Sequence, residues 1–191
     1  IVAIQALSLG DNLAEHGGGI DPIYGKPYSI PEIYNATYVG NNYLSLSKLM
    51  TFADNGAGKY YNSIFVNQIQ GIGIEYASGF NDSYSQFENE NLIFENNIFY
   101  DIENNTDSLI LTAFNHSGDD LITQQEALKN YFISANNIVE NPEITITETD
   151  FDLVPTGNIS DNLANYNDTW YTTVNYKGAI NPSGDNWLSS W

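Results

Sequence analysis

The chain contains no cysteine and no arginine. Without thiols there are no disulfide staples, no thiolate metal sites and no cysteine nucleophile. Without arginine the only permanent cations are five lysines, set against 24 acidic residues for a formal net charge of −19. Phosphate recognition needs clustered cations, so nucleic acid is excluded as a partner. An anionic membrane surface is disfavoured for the same reason. No apolar run approaches the length of a membrane-crossing helix, and direct membrane insertion is not expected. Histidine occurs only twice, at His16 and His116.

What is present is apolar and aromatic. Hydrophobic residues make up 42% of the 191 positions, with 14 Tyr, 9 Phe and 3 Trp. That balance describes a folded chain of one domain, 1–191, large enough to bury a core. Ile1 opens inside a segment that reads as a strand, without a basic leader or a cleavage pattern. The expectation is a mature or partial product, the C-terminal part of a longer coil.

One short unit recurs. Tyr34-Asn35-Ala36-Thr37-Tyr38-Val39 returns as Tyr61-Asn62-Ser63-Ile64-Phe65-Val66, Glu95-Asn96-Asn97-Ile98-Phe99-Tyr100 and Ala135-Asn136-Asn137-Ile138-Val139-Glu140. Each has an Asn where the chain bends, a small or amide residue, then strand formers. Asn tolerates left-handed backbone geometry, bonds its own chain and can ladder from one layer to the next. The Asn positions are separated by 27, 34 and 40 residues. Such an uneven period predicts an all-β fold, a parallel β-helix, or solenoid, with inserted segments. Asn35, Asn62, Asn96 and Asn136 are its expected structural corners, with Thr37, Ile64, Ile98 and Ile138 stacked after them.

Between the corners, 45–52, 60–66, 71–76 and 108–114 read as strands, and 78–90 as a protruding loop. The one helix expected is an insertion at about 119–132, with Asp119 and Asp120 at its front and Leu121, Leu128 and Phe132 on its apolar face. Residues 170–191 read as an aromatic C-terminal cap, in which Trp170, Tyr176 and Trp187 pack on the coil while Pro182 prevents further pairing.

These segments resemble secreted right-handed parallel β-helix repeat proteins of Bacteroidetes and related marine bacteria, of the type IX secretion cargo type, some mislabelled as multidrug transporters. The resemblance is carried by Glu15-His16-Gly17-Gly18-Gly19, the Tyr34–Gly40 unit, Asp54–Ser63, and Val174–Ile180 with Asn186-Trp187-Leu188 and Trp191. It implies an extracellular or outer cell-surface location. It implies no catalytic residues.

The remaining chemistry is sparse. Glu15, His16 and Asp21 flank a Gly run where a metal could be held, although the spacing matches no metal motif and His16 is expected to serve the fold. His116 is expected to cap the helix that follows it. Asp54, Asn81, Asp82, Asp119 and Asp120, on turns, suit calcium, the only cofactor considered. Tyr24, Tyr28, Tyr84 and Phe87 are the rings that could stack on a glycan. No catalytic residue is nominated. The leading expectation is a cell-surface structural or interaction protein, such as an adhesin, coat, filament subunit or accessory part of an outer-membrane assembly. Its partners would be other surface proteins or copies of itself. The alternatives are a glycan-binding module or a carbohydrate-active enzyme. A lyase is disfavoured by the scattered lysines, and a hydrolase would need only a carboxylate pair, which 24 acids make uninformative.

Overall fold

The computed structural model describes residues 1–6, 10–19, 27–43, 46–77, 82–147, 151–166, 168–184 and 187–190. In chain order the elements begin with β1 (Val2–Ile4), β2 (Ala14–Gly17), β3 (Glu32–Tyr34), β4 (Thr37–Val39), β5 (Lys48–Ala53), β6 (Gly58–Tyr61), β7 (Ile64–Gln68) and β8 (Gln70–Glu75). They continue with α1 (Ser83–Glu88), β9 (Leu92–Glu95), β10 (Ile98–Ile102), α2 (Asp107–Ile110), β11 (Leu111–Phe114), α3 (Ile122–Ser134), β12 (Ile138–Val139), β13 (Thr145–Ile146) and β14 (Phe151–Asp152).

Three parallel sheets result, with orders β1-β4-β7-β10-β12, β11-β8-β5-β2 and β3-β6-β9, while β13 and β14 form a small antiparallel pair. With three α-helices among the described residues, the chain is mixed α/β with three parallel sheets. The expectation of an all-β, single right-handed β-helix solenoid with one inserted helix is therefore corrected. Two of the added helices lie where sequence pattern misled. Residues 78–90 were expected to be loop, yet Asp82 caps α1 by accepting from the Ser85 N–H at 2.6 Å. Residues 108–114 were expected to be strand throughout, but α2 occupies Asp107–Ile110 before β11 begins. The helix expected at about 119–132 is α3, with Leu128 and Phe132 buried.

The four recurring Asn residues adopt left-handed backbone, with φ of 53° at Asn35, 49° at Asn62, 57° at Asn96 and 54° at Asn136. After each corner the strands fall in register, Thr37 opposite Ile64, Ile64 opposite Ile98, and Ile98 opposite Ile138. The ladder of side chains, however, is built one residue later than the corner. The Ala36 N–H donates to Ser63 Oγ, the Ser63 N–H to Asn97 Oδ1 at 2.8 Å, and the Asn97 N–H to Asn137 Oδ1. Asn97 Nδ2 also donates to the Tyr60 carbonyl, and Asn137 Nδ2 to that of Phe94. Ser63 and Asn97 are fully buried, so every one of these bonds replaces water that cannot enter.

Between the sheets lies an aromatic core. Tyr38 stacks on Phe65 and Phe65 on Phe99, with centroids 5.0 and 4.8 Å apart, and Tyr60 stacks on Phe94 at 5.0 Å. Burial pushes the Tyr38 phenol up to about 12. A second apolar cluster forms on the outer face of the five-stranded sheet, where Val39, Ile64, Val66 and Ile98 meet Leu153, Ile159 and Ile180 from the C-terminal segment.

Candidate functional site

The two ends of the sheet stack are finished differently. In a parallel ladder, alternate residues turn their backbone groups to opposite sides. On β9, the outermost strand of its sheet, Phe94 faces away from β6, and both its groups are met by one hydroxyl. The Phe94 N–H donates to Tyr131 Oη at 2.9 Å and Tyr131 Oη donates to the Phe94 carbonyl at 3.0 Å. On β11 the corresponding work is done by Gln125, whose Oε1 accepts from the Ala113 N–H while Nε2 donates to the Leu111 and Ser108 carbonyls. Both side chains project from α3. Its Phe132 ring lies 5.3 Å from Phe99, so one helix seals the core and satisfies two strand edges.

At the other end stand β1, β2 and β3. Gln5 donates to Val39 and the Ile1 carbonyl accepts from Thr37, which turns the backbone groups of Val2 and Ile4 away from β4. Leu13 donates to Lys48, so those of Ala14 and His16 turn away from β5. Among the described residues no strand pairs with these outer edges of β1, β2 and β3. The Glu32 carbonyl on β3 accepts from Tyr171 Oη at 3.2 Å. Apolar residues reach the surface here, since Ala3, Leu13, Ala14 and Ile33 are only partly buried and Ile4 is 40% exposed.

His16 belongs to this end. Its ring lies flat on Phe52, 4.5 Å between centroids, and its Nε2 meets the Tyr60 hydroxyl at 2.7 Å. Burial lowers its pKa below the ordinary 6.5, which favours the neutral ring. It therefore packs and bonds to a side chain rather than to a neighbouring backbone. Asp21 lies outside the described residues. His116 is exposed, with Nε2 3.7 Å from Glu75 Oε1.

The acids nominated for calcium are not gathered into one place. Asp82 accepts from the Ala77 and Ser85 N–H groups and from Ser85 Oγ, Asp119 from Ser117 Oγ, and Asp120 from the Ile122 N–H. Asp54 lies in the turn after β5, and its N–H donates to Glu75 at 2.7 Å. Asn81 lies outside the described residues. Among the described residues no three His, Cys, Asp or Glu side chains form a group able to hold a metal ion.

Of the rings expected to stack on a glycan, Tyr28, Tyr84 and Phe87 are described. Tyr84 is buried at 5% exposure, Phe87 is half-buried with its ring 5.0 Å from Tyr131, and the Tyr28 hydroxyl is buried without a partner. Tyr24 lies outside the described residues. Tyr84 is part of the core, while Phe87 packs against it and lines a surface groove.

The C-terminal segment runs along the outer face of the five-stranded sheet, and the corner asparagines hold it there. Asn35 Nδ2 donates to the Tyr176 carbonyl, and Asn35 Oδ1 accepts from Tyr166 Oη. Asn62 Oδ1 accepts from the Ala164 N–H, Asn62 Nδ2 donates to its carbonyl, and the Asn62 carbonyl accepts from Gly178. Tyr176 is half-buried against the outer apolar cluster. Trp170 does not pack, being 86% exposed, and Trp187 is 47% exposed with its indole N–H bonded to the Ala179 carbonyl. The expected Trp-based cap is corrected accordingly, because α3 closes the end of the core and the tail covers a wall.

No family model, curated protein or solved structure matches the chain. Function is therefore read from the chain's own geometry. Sequence reasoning missed two features. Lys177 is 1% exposed, and burial lowers its amine to about 8 although Asp161 and Glu140 raise it. The edge-satisfying roles of Gln125 and Tyr131 were also missed, since nothing local in sequence marks a polar side chain aimed at another strand. Among the described residues no helix is long and apolar enough to cross a membrane.

Proposed function

We propose that the protein is a non-catalytic structural protein that associates through the open edges of β1 and β2 with a second copy of itself. The observation that supports this is the contrast between its ends: α3 satisfies the edges of β9 and β11, two of the three strands that end the sheets there, while Val2, Ile4, Ala14 and His16 turn backbone donors and acceptors outward. Parallel edges with half-buried apolar neighbours are templates for strand addition. Two copies meeting at this end pair like with like, as a two-fold interface requires. An outer-surface location belongs to the same proposal, and fractionation of the native cells tests it.

The charge of −19 opposes self-association at low ionic strength, so association strengthens as salt screens it. Sedimentation velocity from micromolar to millimolar protein, at low and high salt, reads this directly. The expected result is a dimer whose population grows with concentration and with salt. Val2→Pro and Ala14→Pro delete N–H groups that face outward and leave the inner ladders intact, so they abolish the dimer without unfolding the chain. A wild-type protein that stays monomeric throughout, or dimers indifferent to both substitutions, overturns the proposal.

A further inference from the structure

An open groove of about 520 Å³ lies at the end closed by α3, between α1, β9 and α3. Its floor is apolar and aromatic, from Ile93 and the rings of Phe87 and Tyr131, which meet edge to face at 5.0 Å. Its polar groups are of one sign. Glu88 and Glu90 are exposed on the rim, Glu95 is half-buried beside the floor, and among the described residues no lysine or histidine lines it. α3 ends at the rim with Ser134, so the partial negative charge of its last carbonyls adds to that of the carboxylates. Burial raises the pKa of the Tyr131 phenol, its bond to the Phe94 backbone lowers it, and Glu95 and Glu90 add to the rise.

We propose that this groove binds a lysine- or arginine-bearing segment of a partner protein. The chemistry follows the lining. A long cationic side chain lays its aliphatic stem on apolar surface and carries its charge to the rim, and an aromatic face attracts the cation as well. The groove is open rather than enclosed, which suits an extended segment. Among the described residues two rings line it, and they are edge to face, which is too few for a cage around a free quaternary ammonium. A second copy is a poor occupant, having five lysines and no arginine against 24 acids. The groove and the open edges of β1 and β2 lie at opposite ends of the sheets, so the two associations are read independently.

The test is fluorescence anisotropy with a labelled ten-residue peptide alternating Arg with Gly and Ser, beside peptides of equal length bearing Glu or only Gly and Ser. Titration is repeated with Glu95→Gln, Glu90→Gln and Glu15→Gln, the last an exposed acid on β2 at the other end. Each variant is first shown to be folded by circular dichroism. The Arg peptide is expected to saturate at one site and the others not to bind. Glu95→Gln and Glu90→Gln should each weaken it by about two- to fivefold, the range for a partly exposed ion pair. Glu15→Gln should leave it unchanged. Absence of saturable binding overturns the proposal. So does an equal loss from Glu15→Gln, because attraction would then follow net charge and not the groove.

Discussion

Replacing Asn97 by Ala tests whether the buried amide ladder holds the layers together. The side chain of this fully buried residue accepts from the Ser63 N–H at 2.8 Å and donates to the Tyr60 carbonyl at 3.0 Å and to Asn137 Oδ1 at 3.1 Å. Ala removes all three and opens no path for water. The Tyr60 carbonyl keeps its ladder bond to β9, but the Ser63 N–H is left unpaired in the interior, so the expected loss is about 1–3 kcal/mol. Guanidinium denaturation followed by far-ultraviolet circular dichroism measures it, with the exposed helix residue Asn130→Ala as the control. Asn97→Asp sharpens the test through pH. Its carboxylate would face two oxygens, Tyr60 O and Asn137 Oδ1, so the folded-state pKa lies above the unfolded value of about 3.9. The folded form then holds its proton longer, and stability falls as pH rises from about 4 through the folded pKa. An Asn97→Ala protein within about 0.5 kcal/mol of wild type, the range of an ordinary surface change, refutes the reasoning.

Two further outcomes follow from the geometry. His16 titrates below its ordinary 6.5 in the folded chain, so below that pH the unfolded chain binds the proton first and stability is lost as pH falls; His16→Phe, which retains the ring on Phe52, should lose this part of the slope in melts between pH 7 and 5, and an unchanged slope refutes it. A Cβ at Gly71 would stand 2.2 Å from the Ile110 carbonyl oxygen, so Gly71→Ala must displace backbone and should cost about 1–3 kcal/mol. Gly17→Ala, with nothing within 4 Å of the added atom, serves as its comparison, and equal melting temperatures for the two count against that packing.

How much of this the sequence carried depends on whether the physics was local. The repeated Asn announces a left-handed corner because few other residues accept that backbone, and the four φ values near +50° are what the residue type alone suggests. The small or amide residue after it marks where an inward side chain must both fit and bond, which is where Ser63, Asn97 and Asn137 form the ladder. α1 has a legible signal in Asp82, a residue type favoured at N-caps, but the segment is otherwise polar enough to read as loop. α2 is one turn long and has no periodicity to read. The roles of Gln125 and Tyr131 could not be read, because each depends on which distant strand ends nearby. Trp170 shows the opposite failure. Large aromatic residues usually signal burial, but hydrophobic content does not specify direction, and this one is exposed.

The ladder also separates what the chain must conserve in length from what it may vary. Its successive bonds join residues 27, 34 and 40 apart, yet the corners they connect share one geometry. Closing a loop of 40 residues rather than 27 costs only ~0.3 kcal/mol in chain entropy, since the penalty grows with the logarithm of length. A whole helix, α3, fits inside the longest excursion at that small entropic cost. Extra residues placed at an exposed turn such as 104–106 are thus thermodynamically cheap, whereas one residue inserted between Asn96 and Asn97 shifts a buried amide out of reach of its partners.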